Sequence, residues 1–321
     1  MVSLPLLESK IELPRVQGLP RPRLDRQLDA VWERGLAIVS GSAGWGKTTL
    51  LGQFRQRSNT PVAYYRADAT DSSVDELLRY LRHSVGRAIA APIGATSGVD
   101  EFVGEVSVAA PDGLAIVIDD VHDLTSSPAG DALAHLVETA PSGWAVVLAG
   151  RAAPGLDVSR RRVSGRLVEI GPDDLRFRTW EVESLFRDVY LNRLPPEEIA
   201  VLSARLEGWA AGLRLFQLAT AGKTPSARRT TLASFGARRD ACREYLTQNV
   251  LDSLPTAEHD LMVRTSVLGV LSGELCDEFL GTTGSEATLA RLEQRQLLAV
   301  AHGAPWIYRC HEVLRAHFED V

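Results

Sequence analysis

The sequence predicts an α/β fold: a parallel sheet, then an appended helical domain and a winged-helix domain. Three observations predict this order. Short apolar runs alternate with segments of helical period from Leu36 to about Gly171, only helical periodicity follows from Thr179 to about Leu254, and the chain ends in two short apolar stretches. Apolar runs without alternation are typical of strands buried on both faces. Their alternation with helices indicates βαβ units with right-handed crossovers.

Five apolar runs are the predicted strands. They are Leu36–Val39, Pro61–Tyr65, Leu114–Ile118, Trp144–Leu148 and Leu167–Ile170. A helix is predicted between the second and third runs, because apolar residues recur there on one helical face. That face consists of Val74, Leu77, Leu78, Leu81 and Val85.

The second half of the chain predicts helices and then a hairpin. The helical pattern breaks at Leu194-Pro195-Pro196 and near Gly222–Arg229, and a last segment begins at Pro255. In that segment, the predicted helices and strands are Ala257–Leu268, Ala287–Arg295, Leu297–Ala301 and Trp306–Tyr308. The turn His302–Pro305 joins the two strands, and helices before such a hairpin favour a winged helix. We expect domains at 1–172, 173–254 and 255–321.

The composition indicates a globular protein and argues against one class of function, a surface devoted to nucleic acid. With 45% hydrophobic and 24% charged residues, the 321-residue chain is ordinary for a globular protein. A net charge of −6 argues against a surface devoted to nucleic acid. Only three of the 35 basic residues are lysines, Lys10, Lys47 and Lys223. Coding bias explains the excess of arginine, but it makes each lysine worth locating.

Cysteine usage and hydropathy predict a cytoplasmic protein without a membrane partner. The three cysteines are Cys242, Cys276 and Cys310, and their spacing fits neither a zinc site nor a disulfide framework. The N-terminus lacks the charged and apolar regions of a signal peptide. No apolar run approaches the ~18 residues that span a bilayer.

Residues Gly41–Thr48 form a phosphate-binding motif, G-x-x-x-x-G-K-[ST]. The motif follows the first predicted strand and opens a helical stretch, which is its expected context. Its glycines let backbone N–H groups point at phosphate oxygens, Lys47 reaches the β- and γ-phosphates, and the Thr48 hydroxyl is a ligand for Mg²⁺. The residues expected to bind the nucleotide here are Gly41, Gly44, Trp45, Gly46, Lys47, Thr48 and Thr49. The sheet is therefore predicted to be that of a P-loop NTPase.

The remaining catalytic candidates follow predicted strands. Asp119, after the third strand, is expected to hold Mg²⁺ through water together with Thr48, and Asp120 to orient or deprotonate the attacking water. Arg151 ends the fourth strand and, with Lys47, completes the catalytic set, because strand ends of a parallel sheet meet at one crevice. Since the acid strand is third in sequence, we expect an extra strand between the two motif strands.

These residues together resemble the STAND class of signal-transducing P-loop NTPases, in the subfamily of MalT and large LuxR-type transcriptional regulators. The resemblance covers essentially the whole chain. The segments that carry it, besides the P-loop and Asp119-Asp120, are Lys10–Arg15, Leu19–Leu24, Gly208–Leu213 and Tyr308–Glu312. Leu19 stands where the family usually has valine, and the base-contacting proline of related proteins is absent near Gly208–Leu213.

The resemblance implies further site residues. It places Arg21 and Arg23 beside the nucleotide base and ribose, and gives His311 a contact with the ADP β-phosphate. It implies a packing role for Gly208–Leu213. His122, after the acids, is interpreted as an ordinary loop residue.

The resemblance also implies a function, an ATP/ADP-dependent switch with slow hydrolysis. Its cofactors are ATP or ADP and Mg²⁺, its partners an unknown inducer and further copies of the chain in the ATP state. DNA would be bound only through a domain outside this chain, which we expect to be the N-terminal part of a longer regulator. Alternatives are a P-loop kinase or other small-molecule enzyme, a remodelling ATPase, and a nucleotide-gated scaffold that does not hydrolyse.

Overall fold

A computed structural model gives the fold of most of the chain. The residues it describes are 8–12, 18–42, 44–151, 156–220, 222–234, 254–268, 271–294, 298–302 and 306–310. They fall into two compact units. The first comprises Met1–Ser40 and Lys47–Leu175, and the second comprises Gly41–Gly46 and Arg176–Val321. The expected domain boundaries after residues 172 and 254 stay predictions.

The first unit contains a five-stranded parallel sheet with the strand order β2-β3-β4-β1-β5. The strands are β1 (Leu36–Ser40), β2 (Val62–Arg66), β3 (Ala115–Asp119), β4 (Ala145–Gly150) and β5 (Val168–Ile170). Each coincides with a predicted run, so the predicted sheet is confirmed. Strand β4 lies between β1 and β3, pairing with both. An extra strand between the two motif strands is therefore present, but it is β4, whereas β2, which lies between the motifs in sequence, is at the edge of the sheet.

Eight helices accompany this sheet in the described part of the first unit. They are α1 (Pro22–Asp29), α2 (Val31–Arg34), α3 (Lys47–Arg57), α4 (Val74–Ile89), α5 (Val99–Ala109), α6 (Pro128–Thr139), α7 (Ser159–Val163) and α8 (Pro172–Leu175). Helix α4 begins where the Ser73 hydroxyl accepts the Glu76 N–H, and Leu77, Leu81 and Val85 of its predicted face are buried. Among the described residues, no helix is long and apolar enough to cross a membrane.

Burial explains why the central strands read as continuous apolar runs. Every residue of β3 and β4 is buried. A strand covered on both faces offers no position to a solvated side chain, so period-two alternation disappears. Asp119 departs from this apolar composition, because it is the last residue of β3 and its carboxylate is buried.

Lys10 attaches the N-terminal segment to the loop after β2. Its ammonium lies 2.7 Å from carboxylate oxygens of both Asp68 and Asp71, and 5.0 Å from the centre of the Tyr80 ring. Lys10 and Asp71 are both buried. These two carboxylates outweigh the effect of burial and raise the pKa of Lys10. The amine is therefore held charged inside the first unit.

The second unit contains the predicted helical segment. Its helices are α9 (Thr179–Ser184), α10 (Pro196–Leu206), α11 (Ala210–Thr220) and α12 (Pro225–Ser234), and a π-helical turn, Leu185–Val189, follows α9. The predicted break at Leu194–Pro196 is present. The break near Gly222–Arg229 is shorter than predicted, because Pro225 opens α12, a position that proline favours. The Thr224 hydroxyl accepts the Ala227 N–H there.

From residue 254 onward, the described residues contain three helices and an antiparallel strand pair. They are α13 (Thr256–Thr265), α14 (Gly273–Leu280), α15 (Ser285–Gln294), β6 (Leu298–His302) and β7 (Ile307–Cys310). Two of the helices and both strands match predictions. Helix α14 was not predicted, although its ends carry signals: the Ser272 hydroxyl accepts the Leu275 N–H, and Gly281 ends the helix in the left-handed region.

Candidate functional site

The predicted P-loop joins β1 to α3. Gly44 and Gly46 have φ angles of 77° and 86°. This left-handed region favours glycine. Gly46 is one of the glycines that the motif requires, whereas Gly44 occupies one of its variable positions. Helix α3 begins at Lys47, so Thr48 and Thr49 lie in its first turn. The N–H groups and partial positive charge of such a helix start attract an anion.

Residues Gly41–Gly46 belong to the second unit, where they contact its helical segment. The Ala211 N–H, in the first turn of α11, donates a 2.9 Å hydrogen bond to the Gly44 carbonyl. The Trp45 side chain is buried, and the Arg176 guanidinium lies 5.9 Å from its ring centre. The Gly-Trp-x-x-Gly-Leu element of the sequence therefore packs against the loop tip within this unit.

Lys47 is a buried cation that faces acidic residues. Its side chain belongs to the first unit and is 8% exposed. Burial lowers the pKa of Lys47, and the charges of Asp119 and Asp120 oppose that shift. An ammonium in this setting gains from an added anion, because its own solvation has been removed.

Asp119 is held at the end of β3 by three hydrogen-bond donors. Its Oδ2 accepts the Thr48 hydroxyl at 2.9 Å and the Tyr64 hydroxyl at 3.3 Å, and its Oδ1 accepts the Asp120 N–H at 3.0 Å. Burial and then the charge of Asp120 raise the pKa of Asp119, whereas Thr48 and Lys47 act against that shift. Thr48 and Asp119, which the sequence predicts as metal ligands, thus lie in contact.

Asp120 leaves the strand in an unusual backbone conformation. Its φ of 56° lies in the left-handed region, which strains residues other than glycine. The residue precedes a 3₁₀ turn, Val121–Leu124, and its side chain is 39% exposed. Burial raises the pKa of Asp120, and Lys47 opposes the shift. The carboxylate is therefore accessible to water beside a buried cation.

His122 lies between the ends of β3 and β4. The Arg151 N–H donates to its Nδ1 at 3.5 Å, and the nearest carboxylate oxygens of Asp120 and Asp123 lie 3.9 and 3.7 Å from its ring nitrogens. Burial lowers the pKa of His122, which favours the neutral ring. The structure thus brings together the two strand ends that the sequence singles out, and adds His122, interpreted from sequence as an ordinary loop residue.

Arg21 and Arg23 contact the backbone of α8. The Arg21 side chain is 2% exposed and donates a 2.6 Å hydrogen bond to the Leu175 carbonyl. Arg23 donates to the Asp174 carbonyl. These contacts hold the start of α1 against α8 in the first unit. The contact of either arginine with a nucleotide base stays a prediction.

Curated relatives are similar along nearly the whole chain. Serine/threonine-protein kinase PknK of Mycobacterium tuberculosis is 28% identical over 96% of this chain, and HTH-type transcriptional regulator MalT of Yersinia enterocolitica is 26% identical over 91%. The aligned regions make up 29% and 34% of those proteins. The chain thus spans about a third of the length of these relatives.

Two domain families match separate parts of the chain. Residues 32–154 match the AAA domain, and residues 247–320 match the MalT winged helix domain. The chain thus matches an AAA-type P-loop domain in its first half and a MalT-type winged helix domain near its end. Its fold is also that of the Walker-type ATPase PABY2304 of Pyrococcus abyssi, which is 16% identical, covers 94% of this chain and 96% of its own, and gives a TM-score of 0.65.

The oxygen donors at the start of α3 and the end of β3 fit Mg²⁺. In the described ranges, no group of three or more His, Cys, Asp and Glu side chains could hold a metal ion alone. Mg²⁺ typically takes one or two carboxylates and completes its coordination with substrate phosphates. The hydroxyl of Thr48 and the carboxylate of Asp119 are donors of this kind, and their binding of Mg²⁺ stays a prediction.

Two contacts at this site cannot be predicted from the sequence alone. The Tyr64 hydroxyl reaches Asp119 from β2, and within an apolar run a tyrosine resembles ordinary core. His122 reaches the Arg151 N–H, a contact that depends on the pairing of β3 with β4. His311 lies outside the described residues, so its contact with ADP stays a prediction.

Proposed function

We propose that the chain is the nucleotide switch of a transcriptional regulator, binding ATP or ADP with Mg²⁺ and hydrolysing ATP slowly. The hydrogen bond from Thr48 to Asp119, beside the buried ammonium of Lys47, carries this proposal. It joins the last residue of the P-loop motif to the acid strand. A hydroxyl that donates to Asp119 keeps a lone pair free for a cation.

Each residue then has a defined task. The P-loop N–H groups and Lys47 bind the phosphates, and Thr48 and Asp119 hold Mg²⁺. When bound, Mg²⁺ neutralises charge on the β- and γ-phosphates. Asp120 orients the attacking water, and Arg151 contacts the γ-phosphate. The role of Arg151 rests on its place after β4, next to the acid strand.

A switch requires that its two states bind ADP and ATP with different affinity. Moving an equilibrium from 1:99 to 99:1 takes about 5.5 kcal/mol. A single contact such as the proposed one between His311 and the β-phosphate supplies less than that, so several contacts must change together. We further propose, from the resemblance to the STAND class, that the ATP state with inducer associates with further copies of the chain.

The test compares the two lysines Lys47 and Lys223. Lys47→Ala should weaken ADP binding about 10–100-fold, the range for losing a hydrogen bond to a charged group. Lys223 is exposed, and Lys223→Ala is the matched control that should bind like the wild type. Isothermal titration calorimetry measures the ADP affinity of both variants. Equal ADP affinity in Lys47→Ala and wild type would contradict the proposal that Lys47 binds the phosphates.

Phosphate release by the wild type separates the remaining alternatives. Slow release of inorganic phosphate without an added small molecule supports the switch. Binding without release indicates a scaffold that only senses nucleotide. Turnover that depends on a small molecule and phosphorylates it would indicate a metabolic enzyme.

A further inference from the structure

The Asp119 carboxylate accepts hydrogen bonds from two hydroxyl groups at the same oxygen. Thr48 donates at 2.9 Å and Tyr64 at 3.3 Å, both to Oδ2. Tyr64 lies on β2, which pairs with the acid strand β3. Its side chain is 3% exposed. A donor thus reaches the predicted metal ligand from a strand that contains no residue of the motif.

The two hydroxyls have different tasks when a metal ion binds. Thr48 is itself a predicted Mg²⁺ ligand, so its oxygen would bind the ion while its hydroxyl hydrogen remains hydrogen-bonded to Asp119. Tyr64 approaches from the sheet and serves the carboxylate alone. Asp119 is predicted to hold the ion through water, so Tyr64 would orient the carboxylate that binds this water. Losing the groups that orient the residues around a metal ion typically lowers metal affinity 10–100-fold.

We propose that Tyr64 is a positioning residue for the Mg²⁺ site, because its hydroxyl fixes the orientation of the Asp119 carboxylate. This inference rests on the proposed function, since it concerns Mg²⁺ bound together with nucleotide. It assigns a task to β2 beyond its place in the sheet. It also predicts that the tyrosine ring alone cannot replace the hydroxyl.

The next residue of the same strand provides a matched control. Tyr65 is fully buried, and its ring stacks on Tyr80 with 5.3 Å between the ring centres. Successive side chains of a strand point to opposite faces, so Tyr65 points away from Asp119. Tyr64→Phe and Tyr65→Phe therefore remove the same atom from adjacent buried positions, and only the first loses a bond to the metal ligand.

The experiment measures the ADP affinity of wild type, Tyr64→Phe and Tyr65→Phe in Mg²⁺ and in excess EDTA. The ratio of the two affinities reports the contribution of the metal ion. We expect Tyr64→Phe to lower this ratio about tenfold, with unchanged affinity in EDTA. Tyr65→Phe should keep the wild-type ratio. Binding of Mn²⁺ to the ADP complex, followed by electron paramagnetic resonance, should weaken only in Tyr64→Phe.

Two results would overturn the inference while leaving the proposed function intact. One is that Tyr64→Phe has the same ratio of ADP affinities in Mg²⁺ and in EDTA as the wild type. The other is an equal loss of affinity in Mg²⁺ and in EDTA, which would give the hydroxyl a purely structural role. A wild type that binds no ADP under either condition would instead contradict the proposed function, and the inference with it. Thermal unfolding of each variant verifies its fold.

Discussion

At Asp119, folding and metal binding make opposite demands. The carboxylate is 2% exposed, and burial raises its pKa. At neutral pH the unfolded chain ionises this group more readily than the folded protein does. The ionised carboxylate therefore destabilises the nucleotide-free fold, although a bound cation needs it.

Asp119→Asn should consequently stabilise the nucleotide-free protein at neutral pH while weakening Mg²⁺-dependent ADP binding. Each kcal/mol gained raises Tm by roughly 2–4 °C. The gain should shrink as the pH falls through the raised folded-state pKa, because Asp119 is then already neutral. Differential scanning calorimetry across this range measures the effect. Asp131→Asn, at an exposed acid, is the control, and a lower Tm in Asp119→Asn at neutral pH would contradict the argument.

Sequence reasoning identifies site residues whose chemistry is encoded locally. Lys47 and Thr48 follow from one eight-residue motif, and Asp119 from a strand that ends in two acids. Tyr64 cannot be found this way, because its role arises from the pairing of β2 with β3. Its only sequence signal is a polar atom inside an apolar run. A contact between residues distant in sequence needs the sheet order before it can be predicted.

At the scale of elements, the chain between α10 and α11 depends on one glycine. Gly208 has a φ of 73°, and a Cβ atom added to it would lie 2.3 Å from the Phe177 carbonyl oxygen. The Phe177 N–H also donates to the Gly208 carbonyl at 2.9 Å. This close approach of two backbones fixes the residue at which α11 begins. It thereby also fixes the position of the Ala211 N–H, which donates to the Gly44 carbonyl.

Gly208→Ala should destabilise the second unit more than Gly222→Ala does. Both glycines have φ near 70°, but nothing lies within 4 Å of a Cβ added at Gly222. The control therefore carries only the left-handed backbone penalty of about 1–2 kcal/mol. Steric overlap should add about 1–3 kcal/mol at Gly208. Urea unfolding measures the difference in the free energy of unfolding. An equal decrease in the two variants would show that the Phe177 backbone moves aside at little energetic cost.

Helix boundaries were predicted less well than helix existence. Pro225 was interpreted as part of a break, whereas it begins α12. A proline ends one helix or starts the next, and composition alone does not distinguish these roles. Helix α14 is only eight residues long, too short for a clear hydrophobic period. Its capping residues are the better signal.

Over the whole chain, the predicted layout agrees with the described fold because buried strands and amphipathic helices differ in period. The order of the motifs predicts a strand between β1 and β3, but it does not predict that this strand is β4. The edge position of β2 is not predicted either, since its apolar run resembles those of the central strands. Local patterns thus predict the layers, and long-range pairing decides which side chains meet.

Lysine placement leads to a prediction for the intact protein. Lys10 is buried in an ion pair, Lys47 is buried at the end of the P-loop motif, and Lys223 is exposed. An acetylating reagent should modify Lys223 fastest and Lys10 slowest, and Mg²⁺ with ADP should slow only Lys47. Site-resolved mass spectrometry measures the three rates. Equal rates at Lys10 and Lys223 would contradict the buried ion pair.

The ion pair of Lys10 therefore has a practical consequence. A chain with 32 arginines and three lysines offers few amines to a labelling reagent, and the fold covers two of these lysines. Among the three lysines, an amine-reactive fluorophore or surface tether would attach chiefly to Lys223, and no cysteine would have to be engineered. Such a probe would report on the second unit of the native sequence.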